Sequence, residues 1–256
     1  MFEQSKKEWA ETFHVSSYDV GPGRTLRLSH LLLWLQEVAE RQLEHFGIGY
    51  ETLWAEGIVF LSARTWVQVR RMPRFGEDAT VVTRPCGTQK AQFFRGYEVY
   101  VGKELCVQAV LSSVAADPVT HRIHRPRVFD RFGFDPACGG EPMLVPQKLE
   151  LPVCPLLGER PVRYTDLDYN SHLNNAVYGD FIADYAPEGL AGRVAEFQIN
   201  YIGESLPGDT LAMYGQMTPE GEFLLYGENA RGRGFDACAR FFPAGEEKEE
   251  KNVCPQ

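Results

Sequence analysis

A helix followed by a run of strands occurs twice in this chain, with strand and turn positions matching at an offset of 132, and that repeat limits the folds open to it. In the first copy Leu28, Leu31, Leu32, Leu35, Val38, Ala39, Leu43 and Phe46 are spaced to form one buried stripe. Glu37, Glu40, Arg41 and Glu44 take the opposite side. This spacing predicts a helix capped by Ser29, running to about Phe46 and stopped by Gly47. Strand-like runs follow over 58–71, 79–84, 91–101 and 105–116, with Gly102-Lys103 as a hairpin turn between the last two. In the second copy Asn174 or Asn175 caps a shorter helix with Val177, Tyr178, Phe181, Ile182 and Tyr185 on one face, ended by Pro187. Strands are predicted over 195–202, 210–217, 222–226 and 235–242. Sliding the first copy by 132 lays Val67 and Val69 on Ile199 and Tyr201, and Gly76-Glu77 on Gly208-Asp209. Residue identity is low, but element order and register agree, which points to an internal duplication of an α+β unit.

Between the copies, Pro126, Pro136, Pro142, Pro146, Pro152 and Pro155 interrupt any periodicity. Such a stretch suits neither a helix interior nor a central strand. The predicted layout is a first domain over 1–128, a Pro-rich linker over 129–158, a second domain over 159–243 and a disordered, Glu- and Lys-rich tail over 244–256.

Charge and composition remove several classes of function. There are 26 Lys+Arg against 35 Asp+Glu, a net charge of −9, so a basic face for nucleic acid is not expected. With 44% apolar residues the chain can bury a sizeable core. No apolar run approaches the ~20 residues of a membrane-spanning helix. The start, MFEQSKKEWAETF, lacks the apolar stretch of a secretory signal, so the expected location is cytoplasmic. Six cysteines (Cys86, Cys106, Cys138, Cys154, Cys238, Cys254) are widely spaced with no CxxC pair, which predicts reduced, mostly core-filling thiols. No Cys/His spacing suits a metal, and neither metal nor cofactor is implied.

The densest polar segment runs from Arg163 to Asn175. Within it Asp166, Asp168, Asn170 and His172 alternate with Leu167, Tyr169 and Ser171. In an extended chain that period of two puts all four on one face. The second helix begins directly afterwards, and its free N–H groups offer a place for a developing negative charge. A carboxylate, an amide, an imidazole and an oxyanion site together suit acyl-transfer hydrolysis. The plainer reading is a polar loop that caps the helix. The equivalent approach to the first helix, Arg24 to His30, lacks the Asp/Asn/His face, so these groups are not required by the fold itself.

The segment RYTDLDYNSHLNNAVYGDF with INYIGESLPGDT, and GIVFLSARTWVQVRRMPRFGEDATVVTRP in the first half, resembles the acyl-acyl carrier protein thioesterases of plants and bacteria. The likeness spans roughly residues 8–242. It implies a tandem hot-dog fold in which two helix-and-sheet repeats share one active site. By position, the family's catalytic residues fall on Asp168, Asn170, His172 and Glu204, with Asn174 and Asn175 beside the substrate. The family's cysteine after the glutamate is Ser205 here, which favours a carboxylate-activated water over a thiol nucleophile. At the matching register the first half carries Met72 where the second has Glu204, in keeping with one active site per chain.

The resemblance further places the acyl slot in the first repeat, where Leu32, Trp34, Leu35, Phe60 and Trp66 are candidates, although apolar residues at such spacings are also ordinary core. Its implied partner is an acidic acyl carrier protein, which a chain at −9 would meet through a local basic patch. Arg70, Arg71 and Arg74, or the run containing Arg122 and Arg125, could supply one. An acyl-CoA thioesterase of the same fold is the alternative enzyme. A non-catalytic acyl-binding protein and a hot-dog dehydratase fit the polar cluster less well. Two fused repeats satisfy the pairing that single repeats achieve by dimerising, so a monomer and a homodimer both remain open.

Overall fold

The computed structural model describes residues 4–243, so the predicted tail lies outside the described residues. Its first half comprises β1 (Trp9–His14), α1 (Leu28–His45), α2 (Tyr50–Ala55), β2 (Val59–Val69), β3 (Asp78–Gln89), β4 (Gln92–Val101) and β5 (Glu104–Ala116). Its second half comprises β6 (Leu156–Pro161), α3 (Val177–Tyr185), β7 (Val194–Tyr201), β8 (Thr210–Met217), β9 (Phe223–Asn229) and β10 (Gly232–Phe241). All ten strands form one antiparallel sheet in the order β1-β3-β4-β5-β2-β7-β10-β9-β8-β6.

That order reads the same from both ends once each strand is replaced by its counterpart, so the halves are related by a pseudo-twofold between β2 and β7. Trp66 pairs with Gln198, the residue 132 positions on, which puts the axis through that pair. The loops repeat as well. Gly76 and Gly208 both have φ of +86°, a conformation that glycine adopts freely. Glu77 accepts the backbone N–H of Arg74 and Asp209 that of Leu206, each at 2.7 Å. Each half curls around its own helix, which is the hot-dog arrangement.

Of the apolar stripe of α1, Leu28, Leu31, Leu32, Leu35 and Val38 are buried, together with Trp34 and the fully enclosed Gln42, while Ala39, Leu43 and Phe46 are half-buried. Ser29 is not the cap. The helix starts at Leu28, and Ser29 sits in its first turn, where its hydroxyl donates to Asp180 of α3 at 2.6 Å. Three short elements escaped the sequence reading: β1, α2 and β6. β6 begins at Leu156, inside the predicted linker. The rest of that segment is tied down rather than free. Its 126–132 portion is a 3-10 helix that buries Phe129, and the Pro146 and Gln147 carbonyls accept from Arg64 and Gln198 on the outer face of the sheet.

Candidate active site

The polar segment is not the extended strand that period-two reasoning implied. Residues 164–166 form a 3-10 turn, and the chain then folds back through a tight loop with Ser171 at φ +61°. Inside that loop Asp168 N–H donates to the His172 carbonyl at 2.8 Å, and Leu167 bridges Leu173. Asp168 Oδ1 accepts the backbone N–H of Asn170 at 2.8 Å and of His172 at 3.0 Å. Asp166 leaves the set: it is buried, pairs with Arg160 at 2.8 Å and accepts the Arg163 N–H.

Leu173 N–H donates to the Ser205 carbonyl at 2.9 Å, which docks the loop on the turn that follows β7. This contact sets His172 against Glu204, with Nε2 and Oε2 3.9 Å apart and both side chains about half exposed. Asn170 Oδ1 accepts the Tyr50 hydroxyl at 2.9 Å, which leaves its amide NH2 group as donor. Tyr50 comes from α2 and packs edge-on against Tyr169, whose hydroxyl is pushed up to about 12 chiefly by burial. Ser205 is 1% exposed and faces the interior, away from the other four residues. The expected helix N-terminal anion site is partly closed, because Asn174 takes the Ala176 N–H on Oδ1 and the Val177 N–H on its carbonyl.

Asp168, Asn170, His172, Asn174, Asn175 and Glu204 all line one cavity of about 550 Å³. It runs under α1 and α2 and over β2, β5 and β4, so its space lies in the first half and its polar end comes from the second. Leu32, Leu35 and Phe60 line it. Trp34 does not: it is buried in the main core and stacks on Phe13 of β1 at 4.9 Å. Trp66 does not either, because strand alternation turns it to the outer face, where it packs with Cys86, Phe94 and Val110. Phe60 reaches the cavity only because a register shift between Ser62 and Arg64 reverses that alternation.

Sequence reasoning missed Tyr50, Tyr201, Thr65, Glu40 and Arg95 in the cavity wall. No local motif marks them; they meet through long-range pairing. Glu40 carries a raised pKa, first from burial and further from the charges of Glu37, Asp168 and Glu44, against the lowering effect of a Gln36 hydrogen bond. Among the basic residues, Arg71 is engaged by Glu77 and Glu104 at 2.8 Å each. Arg70 and Arg74 are exposed at the far end of β2, roughly 25 Å from the level of Tyr201 at ~3.3 Å per residue. Arg122 and Arg125 are exposed beside Asp117, Pro118 and His121, which line the cavity.

Two fused hot-dog repeats that together line one cavity of about 550 Å³ define a double hot-dog protein. Family models for the acyl-ACP thioesterase N-terminal and C-terminal domains match residues 6–128 and 157–233, and the chain belongs to that family. It is 27% identical over 208 residues to the chloroplastic dodecanoyl-acyl-carrier-protein hydrolase of Cinnamomum camphora, covering 74% of this chain and 54% of that protein. The chain thus spans about half the length of the curated relative it matches. An acyl-ACP thioesterase structure from Bacteroides thetaiotaomicron superimposes with a TM-score of 0.84 at 19% identity, covering 94% of this chain and 100% of that one. The 12:0-ACP thioesterase from Umbellularia californica gives 0.77 at 19% identity over 92% of this chain and 97% of its own. At that identity both likenesses bear on the fold alone.

Proposed function

We propose that this protein hydrolyses the thioester of fatty acyl-acyl carrier protein, releasing free fatty acid and ending chain elongation. The observation that carries this reading is the facing of His172 and Glu204 at the mouth of a largely apolar cavity. Water attacks the thioester carbonyl carbon and gives its proton to Glu204, whose carboxylate is free of the backbone bonds that occupy Asp168. The oxyanion that forms is held by the Asn170 amide, with Asn175 on the same wall; one such donor is worth roughly 10²–10³ in rate. The C–S bond then breaks, and His172 relays the proton taken up by Glu204 to the departing thiolate, which restores the carboxylate. Asp168 holds the loop that aims Asn170 and His172.

Arg122 and Arg125 are the favoured carrier docking residues, being nearer the mouth than Arg70 and Arg74. Five described cysteines are free thiols, which suits a reducing compartment such as the cytoplasm.

The test offers the purified protein matched acyl ladders on carrier protein and on coenzyme A, with Glu204→Gln and His172→Ala alongside. Release of free acid from the carrier-protein ladder, reduced about 10²–10⁴-fold in Glu204→Gln, is expected. Near-wild-type turnover by that variant removes Glu204 as base, and preference for the coenzyme A ladder removes the carrier protein as partner.

A further inference from the structure

The β4 wall of the cavity holds a cation that no carboxylate answers among the described residues. Arg95 on β4 points toward α1, where its Nη1 donates to Gln42 Oε1 at 2.6 Å and to Thr83 Oγ1 at 3.3 Å. Gln42 is itself fixed, because its Nε2 donates to the Ser5 and Lys6 carbonyls. Arg95 Nε and Nη2 have no acceptor among the described residues, yet neither is sealed off, since both retain accessible surface beside the cavity. The ionisable neighbours that act on Arg95 are Tyr97, Cys86 and Cys138. Two residues along the same face, Tyr97 also lines the cavity, with its hydroxyl buried beside Thr83.

A guanidinium stays charged in proteins, and a charge that loses its water without gaining a partner is costly. A purely hydrocarbon chain would leave Arg95 unanswered each time it bound. The sheet register gives the path to it. Arg95 lies opposite Leu111, Leu111 opposite Thr65 and Thr65 opposite Ile199, in one row across four strands. Thr65 Oγ1 stands 3.2 Å from the Tyr201 hydroxyl at the polar end of the cavity. Two strand spacings of ~4.8 Å put Arg95 about 10 Å beyond Thr65 along that row. An acyl chain that passes Thr65 and Leu111 therefore reaches Arg95 with its distal part.

We propose that the cavity selects acyl groups that carry a carboxylate at the end remote from the thioester, bound by Arg95 through Nε and Nη2. This rests on the cavity's being the acyl pocket of the reading above. The test measures binding without turnover, by calorimetry, with chain-matched S-alkyl pantetheine thioethers that end in a methyl group or in a carboxylate. On the wild-type protein the carboxylate-ended probe is expected to bind about tenfold or more tightly, in line with a charge-assisted bidentate contact. Arg95→Gln should remove that preference, and Arg95→Lys should keep part of it. Equal or weaker binding of the carboxylate probe by the wild type would overturn the inference, whatever the variants do. If methyl-ended probes bind and plain acyl-carrier protein is hydrolysed in that case, the thioesterase reading stands while this one falls. Failure of both probes to bind would remove the acyl pocket and this inference with it.

Discussion

Asp168 can serve the polar loop in two ways, by positioning its neighbours or by taking a proton, and two substitutions distinguish them. Its Oδ1 accepts two backbone amides, at 2.8 and 3.0 Å, and so fixes the relative places of Asn170 and His172. Asparagine keeps an acceptor oxygen there and loses only the charge; alanine removes the acceptor. Two hydrogen bonds of this kind are worth about 1–3 kcal/mol together. For a chain of this length Asp168→Ala should then lower Tm by roughly 2–10 °C, and Asp168→Asn by less than half as much. A displacement of about 1 Å in a catalytic group costs on the order of 10²-fold in rate. Turnover by Asp168→Ala should fall by that order, while Asp168→Asn stays within about tenfold of wild type. Single-turnover release of free acid from acyl-carrier protein, paired with thermal melts, reads both effects. If Asp168 were the proton acceptor, the two variants would lose turnover equally, by about 10²–10⁴, with the asparagine variant melting like wild type. That result would refute the positioning role.

Ala109 of β5 is buried in the cavity wall opposite Tyr97 and Val67. Ala109→Leu should shift the preferred acyl group toward shorter chains, each excluded methylene weighing about 0.8 kcal/mol; an unchanged chain-length profile would show that the chain does not run along β5. Arg122→Glu with Arg125→Glu should raise KM for carrier-protein substrates, most at low salt, and leave coenzyme A substrates nearly unaffected. Equal effects on both substrates would count against docking there. Burial holds the Glu40 carboxyl above its ordinary pKa of 4.5 in the folded protein. The folded state then binds that proton more tightly than the unfolded one, so ionising Glu40 costs stability as the pH rises from about 4.5. Glu40→Gln should accordingly melt above wild type at pH 7 and lose that advantage near pH 4, which melts at the two values will check.

The duplication was legible because it rests on local patterns: the α1 stripe, the Gly-acid loops at 76–77 and 208–209, and the Gly102-Lys103 hairpin all needed only neighbouring residues. Asp168, Asn170 and His172 were legible as a cluster, but their geometry was not, since a left-handed Ser171 and an aspartate that binds its own loop replace the extended strand. Trp34 and Trp66 show the limit from the other side. Apolarity marks both as interior, yet which interior depends on strand parity and on which neighbour a helix face meets. Ser205 in place of the family's cysteine argues against a thiol nucleophile, and its burial adds a reason that sequence could not supply. Arg95 gave no signal, because an arginine in a strand is ordinarily read as solvent-facing.

The pseudo-twofold repeats the fold, and packing separates what the two halves contribute to the candidate site. In the second half Tyr178, Phe181 and Phe235 lie within 4.7–5.9 Å of one another and fill the space beneath α3. Gly179 brings α3 onto the first turn of α1 so closely that a Cβ there would stand 2.9 Å from Leu28 and Ser29 backbone atoms. α3 spans 9 residues where α1 spans 18, and the cavity described above lies under α1 rather than α3. In the first half the position matching Glu204 is Met72, packed against the main core. One repeat thus keeps the room for a chain and the other keeps the polar loop and Glu204. The β2–β7 pairing places that loop at the end of the first repeat's cavity, so neither half makes a complete site alone.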